Sequence, residues 1–170
     1  MKFSAGYPVA RPGNFVNAVE QRQAALAEIY FAWPGMPSGR MPGQQGEAEE
    51  ERLLADLKNF RSLGLRLNLL FNGNCHGGEA ISLTLKQRVI ATVERVAAGC
   101  ALPEAITTTS PFIAQSVKGA FPQIDVRASV NMRIGTIEAM ECMADLFDSF
   151  CVQRECNRNL AHLAELSAWA

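Results

Sequence analysis

The residues best suited to chemistry in this sequence sit in short polar runs. Asn72-Gly73-Asn74-Cys75-His76-Gly77-Gly78 brings two carboxamides, a thiol and an imidazole into one stretch, and its glycines permit close backbone approach to a ligand. A thiol beside an imidazole suggests a nucleophile. Side chains of adjacent residues rarely face each other, however, so Cys75 would need a base from elsewhere, and His162 falls in the final helical segment, poorly placed for that role. A metal site built on Cys75, His76 and Cys156 falls short of the four ligands of a closed zinc site. The run matches neither the Walker phosphate loop nor Gly-x-Gly-x-x-Gly. No Ser-His-Asp set, paired carboxylates or His-Glu-x-x-His can be assembled, so no catalytic residue is assigned.

Arg127, Arg133 and Arg154 offer guanidinium groups suited to bidentate recognition of phosphate or carboxylate. The alternative is that Glu28, Arg66, Arg127 and Glu155 form a network that satisfies itself inside the fold. Tyr7 and Trp33 either stack a ligand ring or cap the core. Cys151 reads as a small buried residue, Cys156 as a surface residue, and Cys100 and Cys142 as filler on helix faces.

Six β-like runs, 2–7, 27–33, 65–72, 105–109, 125–132 and 149–154, supply the frame that must position these groups. Helix-like runs at 14–23, 47–62, 82–99, 112–121, 136–147 and 160–169 follow them in turn. In the second of these, Leu53, Leu54, Leu57 and Phe60 form a helical stripe, and Leu85, Val89, Val93 and Val96 do so in the third, where Gly99 suits the C-terminal cap. Strand–helix alternation implies right-handed crossovers and a parallel sheet. An antiparallel α+β arrangement would need hairpin turns, and Asn72-Gly73 leads into a helix instead. The longest break, 34–45, holds three Pro and three Gly in twelve positions and reads as an exposed loop.

The strands alternate in polarity. Leu67, Leu69 and Phe71 interleave with Arg66, Asn68 and Asn72, and Val126, Ala128 and Val130 with Arg127, Ser129 and Asn131. Strands covered by helices on both faces would be nearly continuous apolar runs. Period two instead places one face against helices and leaves the other polar. The expectation is an α/β fold of parallel (β/α) units, an incomplete TIM-type barrel with six strands where eight close the ring. Residues 1–170 form one domain in this reading, with the working groups at the C-terminal ends of the strands.

Composition sets the bounds. The chain has 170 residues, 48% hydrophobic and 19% charged, with a net charge of -1, which excludes a disordered chain and argues against broad electrostatic capture of nucleic acid. No apolar run approaches the roughly 20 residues that span a bilayer, so no membrane partner is expected. The N-terminus lacks a secretory pattern and the five cysteines lack a disulfide rhythm; both point to the cytoplasm.

The segments 69–75, 107–113, 126–136 and 147–158 together resemble the N-terminal barrel of the collagenase-like peptidase family, peptidase family U32. The resemblance spans most of the chain in matching order. It implies a TIM-like barrel, peptidase activity or hydroxylation of tRNA, ribosomal RNA or ubiquinone precursors, and in several relatives an iron–sulfur cluster. The family's cysteine signature lies after the sixth βα unit and the sequence stops at Ala170, so cluster ligands are expected to be absent and the cofactor is unknown. The strand-end set that the resemblance carries over is Asn72, Asn74, Thr109, Asn131, Arg133, Gln153, Arg154 and Glu155; Cys75 joins them as a candidate ligand contact from its place in the third strand-end loop. Three readings compete: an incomplete, non-catalytic domain, an enzyme completed by dimerisation, or a module binding a small polar ligand or RNA. Unpaired first and sixth strands predict a homodimer that covers the edges near 2–7 and 149–154.

Overall fold

In the computed structural model, which describes residues 2–8, 12–39 and 46–169, six strands lie side by side in sequence order, every neighbouring pair parallel. They are β1 (Phe3–Gly6), β2 (Leu26–Ala32), β3 (Arg66–Phe71), β4 (Ala105–Thr108), β5 (Asp125–Ala128) and β6 (Ser149–Phe150). Each is followed by a helix: α1 (Pro12–Arg22), α2 (Glu47–Ser62), α3 (Leu83–Gly99), α4 (Pro111–Ala120), α5 (Ile137–Glu141) and α6 (Leu160–Trp169). The sheet curls into an open half-barrel, an incomplete (β/α) ring, as the alternation predicts. Of the break at 34–45, positions 40–45 lie outside the described residues.

Local signals account for the element ends. Ser110 follows β4, accepts from the Ile113 amide and hands over to Pro111, whose fixed φ suits a first helical turn. Ser82 and Thr136 cap α3 and α5 in the same way. After α2, Gly64 takes φ +76, its amide bonds to Arg61 and the Leu65 amide to Phe60, a closure that turns the chain sharply into β3.

The outer face of the sheet is dry. Ile29 and Phe31 of β2, Leu67, Leu69 and Phe71 of β3, Ile106 of β4 and Val126 of β5 are fully buried. They join Leu57, Phe60, Val89, Val93, Ile113 and Val117 from the helices in one core. At the N-terminal ends of the strands an acidic residue twice does the same job. Glu104, ahead of β4, accepts the Leu67 amide at 2.8 Å and pairs with Arg61 of α2. Asp148, ahead of β6, accepts the Val126 amide at 2.9 Å and pairs with Lys118 of α4 at 2.8 Å. Each locks a strand, its neighbour and a covering helix together, so this end of the barrel serves stability.

Several expectations need correction. Residues 130–132, read as the end of the fifth strand, form a 3-10 turn, because Ser129 accepts the Asn131 amide and diverts the chain. The sixth strand has two residues; 154–158 is again 3-10, so Arg154 leaves the sheet. The fifth helix spans only Ile137–Glu141. Gly99 ends α3 but the cap is Cys100; a Cβ at Gly99 would lie 2.5 Å from Leu54 Cδ1, so close packing of α3 on α2 is what requires glycine.

Candidate functional site

Period two places Ser4, Glu28, Tyr30, Asn68, Thr107 and Arg127 on the concave face, where helices do not cover them. Arg127 reaches from β5 to β2: its Nη1 donates to Glu28 Oε1 at 3.0 Å and Oε2 at 3.2 Å. Its Nη2 donates to Asp125 at 2.9 Å and its Nε to Ser149 at 3.2 Å, while Ser149 donates to Asp125 at 2.7 Å. Glu28 also accepts from Asn68 at 3.1 Å, whose own oxygen accepts from Thr107 at 3.0 Å. Burial alone would push the Arg127 guanidinium down, but the hydrogen bonds and charge of Glu28 and then Asp125 hold it above its ordinary value. The floor of the hollow is thus a saturated network.

Of the four residues expected in that network, Glu28 and Arg127 belong to it and two do not. Arg66 shares the inward parity of Asn68 but stands at the N-terminal tip of β3, exposed to solvent. Glu155 is exposed on the turn after β6.

Above the floor lies a cavity of about 460 Å³. Its walls carry uncharged hydrogen-bonding groups, Ser4, Tyr30, Asn68, Thr107 and Ser129 among them, beside the apolar Leu70 and Val130 and the charged Glu28, Arg127 and Arg154. Asn72 knots the loops above it. Its Oδ1 accepts the Gly39 amide at 2.8 Å and its carbonyl accepts from Asn131 Nδ2 at 3.4 Å, which ties the loops after β2, β3 and β5 together. Thr109 secures the third loop by donating to the Gly73 carbonyl at 2.6 Å.

A shallower depression of about 330 Å³ opens at the rim, lined by Asn74, Val130, Asn131, Arg133, Arg154 and Glu155. Arg133 is the one non-glycine residue with positive φ among the described residues, at 57°, and its Nη2 donates to Glu155 at 3.3 Å. Arg154 and Asn131 line both hollows.

Asn74, Asn131, Arg133, Arg154 and Glu155 therefore meet at the rim, and Asn72 joins the inner cavity. Gln153 turns away and packs on Gly135, where a Cβ would come within 2.7 Å of its amide nitrogen. Cys75 is exposed beside the site, its sulfur accepting the Gly77 amide at 3.3 Å. The inner-wall residues Ser4, Tyr30, Thr107 and Ser129 escaped notice as site residues. Their signal was the period of two: Tyr30 shares the parity of Glu28, and Ser129 that of Arg127.

Tyr7 and Trp33 are core, 3% and 5% exposed. Tyr7 stands edge-on to Phe15 and Phe60 and donates to Asp56 at 2.5 Å; burial first, then that carboxylate, pushes its phenol up. The cysteines reverse one expectation: Cys156 is buried, whereas Cys151 is half-buried in the cavity wall, and burial pushes its thiol up. Cys100 is half-buried with its thiol likewise raised by burial, and Cys142 is exposed beyond the end of α5. His76 holds both ring nitrogens buried with no hydrogen-bond partner among the described residues. Burial, then the Arg88 guanidinium, keeps its imidazole below the ordinary value.

Among the described residues no three His, Cys, Asp or Glu side chains converge to hold a metal ion. Among the described residues the cysteines do not gather into a group that could hold an iron–sulfur cluster. No described helix is long and apolar enough to cross a membrane.

No protein-family model matches the chain, and no curated protein does. Solved structures do match. The U32 peptidase Mk0906 superposes with a TM-score of 0.74 at 16% identity, over 100% of this chain and 66% of that one. The chain thus spans less than two thirds (a little under 67%) of the matched structure, at 66%. At that identity the likeness is one of fold: the incomplete (β/α) barrel superposes on part of the U32 peptidase structure.

Proposed function

We propose that the chain is a U32-peptidase-like half-barrel domain that binds a small, hydrogen-bonding ligand in its concave cavity and does not by itself cleave peptide bonds. The observation that supports this is the character of the 460 Å³ cavity: it falls within the roughly 300–1,000 Å³ of ordinary ligand sites, and Tyr30, Asn68, Thr107, Ser129 and Asn131 bring neutral donors and acceptors to its walls. With Glu28 and Arg127 paired to each other on the floor, the neutral groups of the walls reward hydroxyls and amides. The arrangement also argues against hydrolysis by the described residues. Among the described residues Cys75 has no hydrogen bond to a base, and the buried ring nitrogens of His76 have no hydrogen-bond partner. The reading extends to assembly: a homodimer shields the two open edges of the sheet.

Backbone-amide NMR with sugars, amino acids and small organic acids tests the reading. The expected result is saturable shifts at residues 28–30, 68–72, 107 and 129–131, with no peptide turnover above a heat-treated control. Turnover by the isolated chain, or shifts confined to the separate apolar groove lined by Met140, Phe147, Phe150, Leu163, Leu166 and Trp169, would overturn it.

A further inference from the structure

Three arginines approach the site, and their bonding separates them. Arg127 has each of its nitrogens committed to Glu28, Asp125 or Ser149. Arg133 is committed to Glu155. Arg154 forms no hydrogen bond or ion pair with any described residue, and it lines both the inner cavity and the rim. An exposed guanidinium at the junction of two hollows, with the carboxamides of Asn72 and Asn131 on the same inner cavity, is a receptor for a planar oxyanion.

The charges fix a direction as well. On the floor, two carboxylates, Glu28 and Asp125, face one guanidinium, Arg127, which leaves an excess of negative charge there. At the rim, Arg133 and Arg154 face Glu155 alone, an excess of positive charge. An anionic group is repelled from the floor and held at the rim. We infer that Arg154 anchors a carboxylate or other oxyanion of a ligand whose neutral hydroxyl- or amide-bearing end enters the inner cavity. This rests on the cavity binding proposed above and names the class of molecule it takes.

Gluconate and glucose form the probe pair: each has six carbons and five hydroxyls, the first an open-chain carboxylate and the second a neutral ring. At constant ionic strength, amide NMR titration of the wild-type chain should show gluconate binding at least tenfold tighter than glucose. In Arg154→Gln the gluconate affinity should fall to that of glucose, with glucose unchanged, while Arg158→Gln, at the far end of the same 3-10 turn, should keep the preference. Retention of the preference in Arg154→Gln, or equal loss in Arg158→Gln, would overturn the assignment. Equal binding of the two sugars by the wild type would remove Arg154 as anchor but leave the cavity reading standing; no shift of cavity amides with either sugar would remove both. Displacement of gluconate by inorganic phosphate or by acetate identifies which oxyanion the site accepts and supports the proposal, and displacement by neither contradicts it.

Discussion

Arg127 of β5 and Glu28 of β2 meet at 3.0 Å although two strands separate them. At roughly 4.8 Å per strand step, their backbones stand roughly 14 Å apart along the sheet, beyond the reach of the two side chains on a flat surface. The contact is made because the sheet curls. The pair thus acts as a chord across the half-barrel, and 6% exposure of the Glu28 side chain makes its loss expensive.

Replacing Arg127 by Ala leaves the Glu28 carboxylate buried and without its cation. The expected cost is about 3–5 kcal/mol in urea unfolding. Arg158→Ala, on the exposed turn after β6, should stay within about 0.5 kcal/mol of wild type. The double change Glu28→Gln with Arg127→Met should recover part of the loss, since the Glu28 charge goes with its cation while Asp125 still loses its own. Equal midpoints for the two single variants would show that the chord carries no load.

His76 gives the fold an acid-sensitive point. Its folded imidazole is held below the ordinary value by burial and by Arg88, so below about pH 6.5 the unfolded chain takes up a proton that the folded chain resists. Stability is therefore lost as pH falls from about 6.5 toward the lowered folded value, and nothing is lost above that window. His76→Leu forfeits no hydrogen bond among the described residues. It should match wild type at pH 8 and become the more stable of the two by pH 5, as followed by thermal unfolding. A variant that runs parallel to wild type across this range would refute the placement.

Gly73 lets the loops after β2 and β3 touch. A Cβ there would lie 2.9 Å from the Pro37 Cβ and 3.0 Å from its carbonyl carbon, and a backbone cannot swing aside as a side chain tip can. Gly73→Ala should cost about 1–3 kcal/mol. Gly78→Ala, with nothing within 4 Å, should stay near wild type in the same melting experiment.

The outer edge of β1 has no strand partner among the described residues, and Phe3 is 55% exposed on it. The proposed dimer buries this edge, so light scattering should return twice the chain mass of 18.5 kDa. Phe3→Lys, which places a charge on an edge strand, should shift the equilibrium to monomer. A wild-type monomer at high concentration would remove the dimer.

The succession of strands and helices was enough to reveal the parallel order, and alternation along each strand the dry outer face and the polar hollow, because side-chain direction in a strand is fixed by parity alone. The strand-end residues were legible for the same reason, and Asn131 and Arg154 were named from sequence. What parity could not supply was pairing across the hollow. Arg66 and Arg127 have the same inward parity, yet Arg66 meets water at the strand tip while Arg127 finds Glu28. The curl of the sheet and the stagger of its strands decide which of two equivalent positions is inside. Likewise three arginines looked alike in the sequence, and tertiary contacts alone left Arg154 uncommitted. Local spacing determines which way a side chain points; only distances between remote strands determine what it meets there.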